Sequence, residues 1–456
     1  MKKIFSMISL TALTIALGFS SCDKNPGGGG SGNNVVGFLY TTTNGENTNN
    51  VVRFTRHYDG SLSDEKAYTT NSKGGANVAA GGDAHGDFDS QGAIQIIGNY
   101  LLNVNAGGND VSVFALDKKT GDLTFKNNVN SGGTRPTSIT YTKKGGSADE
   151  YWVVVGNQWN NPNVQKDGAL IERYPNNAFF MQDLTQPDVT DNERNIQLFT
   201  FNSTTGTLTS VKQLDKYVRE NGGVSCVRFS DDGTKLAVSL WGIAHFGTML
   251  TSLAEQHPSR VYVYDFSNGN SLGRRYFEEK GISGTIGFNW AKNSNSTLFV
   301  SNFNLIPSKL DNSVTVLKDG NSTVVKTQNL SSTPALGINE SCWTEMNAAG
   351  NKLYVTSFQT SLVTEFSVSG STLTYVSNKL RGDLAPKGGD SKELWITPDQ
   401  RFLYNTGALQ SFSVNRFDVS NGLDYKKQNI LATTADGKGI AGKYNFLGLI
   451  GFDLSN

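Results

Sequence analysis

Short runs of alternating apolar and polar residues, bounded by Gly, Asp and Asn, recur along most of the chain. The clearest unit, residues 94–129, reads IQIIGNYLLNVNAGGNDVSVFALDKKTGDLTFKNNV. Later segments repeat its order of strand, tight polar turn and second strand, as in CVRFSDDGTKLAVSLWG, CWTEMNAAGNKLYVTSF and ELWITPDQRFLYNTG. A third strand, a turn such as STTGTL or SVSGSTL, and a fourth strand follow. Such alternation is typical of antiparallel strands, and a four-stranded unit that recurs about every fifty residues indicates a β-propeller blade.

Counting the third strands predicts seven blades. These strands are VVRFTRHY, DVSVFALD, IQLFTFNS, RVYVYDFS, SVTVLKD, LVTEFSVS and SFSVNRFDV. The first unit has no first strand of its own, and YNFLGLIGFDL near the C-terminus is left over. We expect this segment to pair there and close the ring, because closure removes exposed sheet edges. The prediction is therefore an all-β, seven-bladed propeller of four-stranded antiparallel blades over residues 35–456.

The N-terminus has the pattern of an export signal. Lys2 and Lys3 precede a largely apolar run over residues 4–19, which is typical of a signal peptide. The run ends in GFSSC, which resembles a bacterial lipobox with Cys22 as the acylated residue. We expect residues 1–21 to be removed and residues 22–34 to form an acylated cysteine and a flexible tether. The folded part is then extracytoplasmic and attached by lipid to a bacterial membrane, either in the periplasm or at the cell surface. An ordinary signal peptide with an incidental cysteine is the alternative.

Composition supports this interpretation and limits the partners. The chain has 50 Gly, 25 Phe and only 18% charged residues, as expected for many short strands joined by turns. Its net charge of +0 provides no excess of positive charge to bind the phosphates of a nucleic acid. If Cys22 is acylated, Cys226 and Cys342 remain, and we expect two separately buried thiols rather than a disulfide. No oligomer interface is visible, so a monomer is expected.

Loop lengths indicate which face of the ring carries the function. In a four-stranded antiparallel blade, the connections between second and third strands lie on the same face as those between blades. Here they include the long stretches 74–91, 156–194, 241–258 and 301–311, whereas nearly all connections on the other face are tight turns. Functional residues concentrate on long loops held by a rigid scaffold. We therefore expect the site around the central channel on the long-loop face.

Three segments carry a resemblance to a known family. SQGAIQIIGNYLLNVNAGGNDVSVFALD, NSGGTRPTSITY and NESCWTEMNAAGNKLYVTSF resemble the lactonase-type seven-bladed propeller family, which includes bacterial 6-phosphogluconolactonase and fungal muconate lactonising enzyme. The resemblance implies a seven-bladed propeller that opens or closes lactone rings. Export argues against a cytosolic phosphosugar as substrate, and the insertions at 156–194 and 241–258 would reshape the pocket. An unphosphorylated sugar lactone or a related cyclic ester is the expected substrate.

Lactone hydrolysis requires a base that activates water and a donor or cation that stabilises the oxyanion. The densest ionisable cluster lies in GGDAHGDFDSQGA, where His85 or Asp87 is the candidate base and Asp83, Asp89 and Gln91 are candidate substrate ligands. The alternative is a Gly-rich turn whose acids cap backbone amides. Calcium chemistry fits these oxygen ligands, but the spacing of a known calcium motif is absent, so no metal site is predicted. No cofactor is expected either, because serine-nucleophile, zinc, P-loop and dinucleotide motifs are missing.

Arg135, in SGGTRPTSI, is the candidate cation, and a structural ion pair between blades is its alternative role. Other polar residues occupy equivalent positions at the starts of later blades and should converge on the channel axis. Trp159 lies in a long polar loop, where it could stack on a sugar ring. The further substrate-binding candidates are Asn105, Trp159, Glu220, Asn221, Glu340, Asp390 and Lys392. A ring of this kind also serves a non-catalytic surface propeller that binds a glycan or a protein, which is the alternative function.

Overall fold

The computed structural model describes residues 34–75, 90–158, 194–217, 223–240, 259–278, 285–302, 313–318, 321–326, 341–358, 360–382, 390–408, 411–430 and 445–454. These residues form 28 β-strands and no helix, as the alternating pattern predicts. Within these ranges, no helix is long and apolar enough to span a membrane.

The strands follow one another along the chain with short and long connections in alternation. In chain order they are β1 Val35–Thr42, β2 Asn50–His57, β3 Leu62–Thr69, β4 Ile94–Ile97, β5 Tyr100–Asn105, β6 Asp110–Leu116, β7 Leu123–Asn130, β8 Pro136–Lys143, β9 Glu150–Asn157, β10 Asn195–Asn202, β11 Thr207–Lys216, β12 Val224–Phe229, β13 Lys235–Leu240, β14 Arg260–Ser267, β15 Asn270–Phe277, β16 Phe288–Trp290, β17 Thr297–Asn302, β18 Ser313–Lys318, β19 Asn321–Lys326, β20 Ser341–Met346, β21 Lys352–Ser357, β22 Leu362–Ser369, β23 Thr372–Leu380, β24 Ser391–Ile396, β25 Phe402–Gly407, β26 Ser413–Asp418, β27 Asp424–Ile430 and β28 Leu447–Asp453.

Seven four-stranded antiparallel sheets form the blades, which confirms the predicted fold. Blades 2 to 7 are β4–β7, β8–β11, β12–β15, β16–β19, β20–β23 and β24–β27, each ordered from the channel outwards. Blade 1 has the order β28-β1-β2-β3, so the C-terminal strand is its innermost strand. Phe38 pairs with Phe452 and Tyr40 with Ile450 across that junction. The predicted closure of the ring by the C-terminal segment is therefore confirmed.

The two ends of the ring differ as the loop lengths predict. Connections between second and third strands and between blades leave from one end, here called the long-loop end. They join strands as distant as β9 and β10, or β27 and β28. Connections between first and second strands and between third and fourth strands leave from the opposite, tight-turn end. Those within the described chain are short, and the connections β6–β7, β8–β9 and β16–β17 are equally the longest of them.

A repeated contact packs blade 2 against blade 1 and blade 3 against blade 2 at the tight-turn end. The Gly121 turn of blade 2 lies against the Phe38 ring of blade 1, and the Tyr40 hydroxyl donates to the Gly121 carbonyl at 2.7 Å. The Gly206 turn of blade 3 lies in the same way against Tyr100 of blade 2. Both glycines have φ of 71° and a Cβ would clash with the ring. The glycine in each turn thus allows both the tight hairpin and the close contact between neighbouring blades.

The hydrophobic core lies between blades rather than in one central mass. One cluster joins Val154 and Leu198 of blade 3 to Val227 and Tyr262 of blade 4. Cys226 and Cys342 are two buried thiols that form no disulfide, as predicted.

Candidate functional site

The innermost strands leave backbone groups unpaired along the channel, and polar side chains from the preceding blade bind them. The Ser138 and Thr140 hydroxyls of β8 accept hydrogen bonds from the Val227 and Phe229 amides of β12, both at 3.1 Å. Gln95 of β4 donates to the Ile139 carbonyl at 3.0 Å. An unpaired buried backbone group is costly, so these contacts stabilise neighbouring blades against each other.

Two of these bridging positions carry carboxylates instead of neutral groups. Glu393 of β24 accepts hydrogen bonds from the Gly92 amide at 2.7 Å and the Gly448 amide at 2.8 Å. Burial raises the pKa of Glu393 to about 7, even though both amides and the charge of Arg228 lower it. Burial likewise raises the pKa of Glu345 to about 7, against the opposing effects of Arg228 and the Ile396 amide. Carboxyls with a pKa near neutrality can exchange protons at physiological pH.

Residues Ser90–Gly92, here called the axial segment, cross the channel and contact five blades. The Gln91 amide donates to the Ser225 carbonyl at 3.0 Å, and the Ser138 hydroxyl donates to the Gln91 carbonyl at 2.6 Å. The Gln91 side chain accepts from the Thr344 amide at 2.9 Å and donates to the Phe288 carbonyl at 3.4 Å.

The two neighbours of Gln91 complete this set of contacts. Trp343 Nε1 donates to the Ser90 carbonyl at 2.7 Å, and Gly92 is bound by Glu393. Blades 3, 4, 5, 6 and 7 therefore meet on three consecutive residues. Asp89 directly precedes Ser90, so the chain that carries the predicted acidic cluster joins the described structure on the channel axis. His85, Asp83, Asp87 and Asp89 themselves lie outside the described residues.

The predicted ligands Gln91 and Asn105 both have buried side chains with polar partners in the protein. Asn105 donates to Asp110 at 2.6 Å and to Ser112 at 2.7 Å, and it accepts from Asn49 at 2.9 Å. This network joins blades 1 and 2. The contacts give Gln91 and Asn105 a role in holding blades together, and their role as substrate ligands remains a prediction.

Asp390 and Lys392 are also completely buried. Asp390 forms a 2.7 Å ion pair with Arg381, and both side chains have 0% exposure. Lys392 Nζ donates to Asn445 at 2.8 Å and lies 5.5 Å from the centre of the Trp343 ring. Burial lowers the pKa of Lys392 well below its usual value. Full burial gives an external substrate no direct access to either group in this conformation.

Arg135 lies at the long-loop end, directly before β8. Its backbone amide donates to the Asn109 side chain of blade 2 at 2.8 Å, and its carbonyl accepts from the Gln158 amide at 2.9 Å. Its φ of 58° is in the left-handed region, which is uncommon for a residue with a Cβ. The backbone therefore links two blades, while the guanidinium-bearing side chain is only half-buried. The position is compatible with the predicted role at the channel mouth.

The remaining predicted site residues lie outside the described residues, namely Cys22, Trp159, Glu220, Asn221 and Glu340. Within the described part of the chain, no group of three or more His, Cys, Asp or Glu residues could hold a metal ion.

Sequence reasoning missed the charged positions on the innermost strands, which are Arg228, Glu345 and Glu393. A signal for them exists in the repeat itself. First strands of blades such as CVRF, CWTEM and KELW are otherwise mostly apolar or neutral. A charge in a strand that must lie along the channel is a departure from the repeat, and aligning the blades position by position would identify it.

Comparisons with known proteins agree with this architecture. The structure resembles the periplasmic gluconolactonase of Pseudomonas aeruginosa with a TM-score of 0.57 at 15% identity, covering 92% of this chain and 100% of that one. It resembles a Lactobacillus plantarum protein with a TM-score of 0.58 at 13% identity, covering 91% and 100%. A Bacteroides fragilis protein provisionally named a 6-phosphogluconolactonase gives a TM-score of 0.51 at 15% identity, covering 91% and 99%.

At these identities the structural likeness shows the fold alone. No curated protein matches the sequence. The family described as "Lactonase, 7-bladed beta-propeller" matches residues 35–164, which contain strands β1 to β3 of blade 1, all of blade 2 and the first two strands of blade 3.

Proposed function

We propose that the chain is an exported lipoprotein that hydrolyses an unphosphorylated sugar lactone or a related cyclic ester at the long-loop end of the channel. The lactonase-type family match over residues 35–164 supports the reaction class. The basic, apolar and lipobox-like pattern of residues 1–22 supports export and a lipid anchor on Cys22. The structural neighbour from Pseudomonas aeruginosa is itself named a periplasmic gluconolactonase, which is consistent with such a location.

The reaction needs two groups at the carbonyl carbon. His85 or Asp87 would remove a proton from water as its oxygen attacks the lactone carbonyl, and Arg135 would stabilise the negative charge on the carbonyl oxygen. Cleavage of the ring C–O bond, with protonation of the leaving oxygen, then gives a hydroxycarboxylate. No metal or redox partner is required for the atoms and electrons to balance.

The axial segment is the observation that carries this proposal. It anchors the chain immediately after the predicted His85 and Asp87 cluster to five innermost strands. Such a multiply bonded anchor restrains where the preceding residues can lie, because a chain extends at most about 3.6 Å per residue. Asp87 is three residues from Ser90 in sequence, which supports a catalytic role for it near the ring axis.

The proposal predicts lactone turnover that depends on His85 and Arg135. The chain from residue 23 onwards should hydrolyse at least one member of a panel containing D-glucono-1,5-lactone, D-galactono-1,4-lactone and unsubstituted δ-lactones faster than buffer does. We expect His85→Ala and Arg135→Ala each to lower kcat/KM about 100-fold, since a general base or an oxyanion donor contributes at least that much. Continuous titration of the released acid measures the rate.

Matched controls are available at the tight-turn end and on the outer surface. His57 lies at the end of β2 against Ser63, and Arg274 is on the outermost strand of blade 4. His57→Ala and Arg274→Ala should leave kcat/KM within about twofold of the parent protein. Equal activity of the parent and the His85 or Arg135 variants would refute the proposed site. Absence of turnover across the panel would refute the hydrolase.

A second candidate function is supported by a separate observation. The described site candidates Gln91, Asn105, Asp390 and Lys392 have buried partners between blades. If the polar residues at the starts of the blades hold neighbouring blades together, the propeller can still bind a glycan or a protein through its long loops without catalysis. Retention of the protein on a glycan array, combined with no lactone turnover, would support this alternative.

A further inference from the structure

A second cavity lies at the tight-turn end of the channel, opposite the proposed lactone site. It has a volume of about 140 Å³ and opens between the first turns of blades 4, 5 and 6. Arg228 and Asn289 of innermost strands line it, together with Phe229, Trp290 and Met346. An engineered cavity of about 150 Å³ in another protein holds a benzene ring, so this space can accept a small organic molecule.

Arg228 contributes a positively charged group to the lining of this cavity. Its side chain is half-buried, and in its preferred orientation the Asn289 amide oxygen accepts a hydrogen bond from Nη1. Among the described residues no carboxylate lies within the 4.0 Å ion-pair distance of Arg228. The nearby Asp231 is instead paired with Lys292 at 3.0 Å. A guanidinium has five donors in a planar fork that matches a carboxylate in a bidentate arrangement.

Part of the remaining cavity wall is apolar, and Asp231, Lys292 and Asn347 make the rest of it polar. Trp290 is only 5% exposed, and its indole Nε1 donates to the Arg228 carbonyl at 3.1 Å. Phe229 and Met346 complete the apolar surface next to the guanidinium. A guanidinium beside an apolar wall, with polar groups at the rim, is the arrangement expected for a ligand with one anionic head and a small apolar body.

We infer that this cavity binds a small organic carboxylate, with its oxygens on Arg228 and its body between Phe229, Trp290 and Met346. Glu345, Glu393 and Asp231 lie near Arg228 and repel any anion, so a singly charged carboxylate with an apolar body is better suited to the site than a multiply charged inorganic anion. Glu345 and Glu393 interact electrostatically with Arg228 and with each other, and Asp231 and Lys292 line the rim. The inference does not depend on lactone hydrolysis at the other end of the channel.

Binding should be linked to proton uptake. The pKa of Glu345 is about 7 in the free protein, and Arg228 holds it lower than burial alone would. A bound carboxylate neutralises Arg228 and adds negative charge, so the pKa of Glu345 must rise on binding. The affinity for the carboxylate is then highest below pH 7. It falls as the pH rises through the pKa of Glu345 in the free protein and then through its pKa in the complex. If binding raises the pKa of Glu345 by about one unit, the carboxylate binds about tenfold more weakly at pH 9 than at pH 6.

The inference is tested with 4-fluorobenzoate as probe, by ¹⁹F NMR titration of the chain from residue 23 onwards. We expect a dissociation constant of about 1 mM at pH 6, as is usual for so small a ligand. Arg228→Gln should weaken binding at least tenfold, and Arg228→Lys should give an intermediate loss because it keeps the charge without the fork. The matched control Arg275→Gln, an exposed arginine paired with Asp265, should bind the probe as the parent does.

Two further measurements make the result decisive. Glu345→Gln should bind the probe with a smaller change in affinity between pH 6 and 9 than the parent shows, the remainder arising from Glu393, whereas a purely structural role for Glu345 would leave that profile unchanged. If Arg228→Gln fails to fold by circular dichroism, Arg228→Lys supplies the comparison. The inference would be overturned if the parent and the folded Arg228 variants bound 4-fluorobenzoate with equal affinity. It would also be overturned if sulfate bound more tightly than 4-fluorobenzoate, or if no binding were seen at probe concentrations up to 20 times the expected dissociation constant.

Discussion

Deletion of residues 446–456 is expected to abolish the folded monomer. The deletion removes β28, which supplies the innermost strand of blade 1 and pairs with β1 from Gly37 to Thr42. It also removes Phe446, Leu447 and Leu449, which are at most 5% exposed and belong to two separate core clusters. Burial of three such side chains contributes about 5–9 kcal/mol, which is comparable to the whole stability of an ordinary domain. Size-exclusion chromatography and circular dichroism will show aggregation or loss of the cooperative thermal transition.

The matched control for this truncation is deletion of residues 455 and 456 alone. These two residues follow β28 without contributing to it, so the shorter deletion should leave the elution volume and the melting temperature unchanged. A cooperative, monomeric fold after deletion of residues 446–456 would contradict the closure of the ring by β28.

Replacing Arg381 by Met is expected to lower the free energy of unfolding by about 3–5 kcal/mol, since removing one partner leaves the other charge buried. Arg381 lies directly after β23 and pairs with Asp390 at the start of blade 7, where both side chains have 0% exposure. Ser411 also donates to Asp390, at 2.5 Å, which adds the long-loop end of blade 7 to the same cluster. Urea unfolding at pH 7 measures the change.

An exposed ion pair in the neighbouring strands provides the control. Lys379 and Asp424 lie 3.2 Å apart with side-chain exposures of 44% and 53%, so Lys379→Met should cost less than about 1 kcal/mol. If Arg381→Met were as mild as Lys379→Met, the cluster would not be structural. The role of Asp390 as a substrate ligand would then be favoured, and Asp390→Asn should weaken substrate binding with little loss of stability.

The fold is predictable from the sequence because each blade repeats the same pattern of alternating strands and tight turns. Alternation over stretches such as residues 94–129 specifies which faces of the strands are buried. The turn glycines Gly121 and Gly206 mark the same hairpin in successive blades, and their contacts with Phe38 and Tyr100 show that they also specify blade packing. The surplus C-terminal strand is predictable because a ring with one missing inner strand leaves two unpaired edges.

The channel interior is less predictable, because it depends on side chains that meet only when distant blades come together. Gln91 contacts Thr344, which is 253 residues away in sequence, and Phe288 at a separation of 197. Nothing local to SQGA indicates that it crosses the channel. For the same reason the sequence context of Glu393 is that of an ordinary polar strand residue, although it accepts hydrogen bonds from the amides of Gly92 in the axial segment and Gly448 in blade 1.

Polar residues at the starts of blades are a second instance of this ambiguity. Convergence on one axis is predicted from the repeat for Asp390 and Lys392, but a converging polar group can serve a ligand or a neighbouring blade. Asp390 has its partner only nine residues earlier, in Arg381. The sequence places both residues between the same two strands, yet only the folded structure shows that Arg381 is buried with it.

Amide hydrogen exchange at the axial segment tests the central feature of this account most directly. The Gln91 amide is bonded to Ser225 and the Gly92 amide to Glu393, both inside the channel. We predict that these two amides exchange as slowly as those of buried strands such as β9, because their exposure requires separation of several blades. Exchange within seconds, at the rate of an unstructured loop, would show that the segment does not hold the channel. The basis for locating the catalytic cluster on its axis would then be lost.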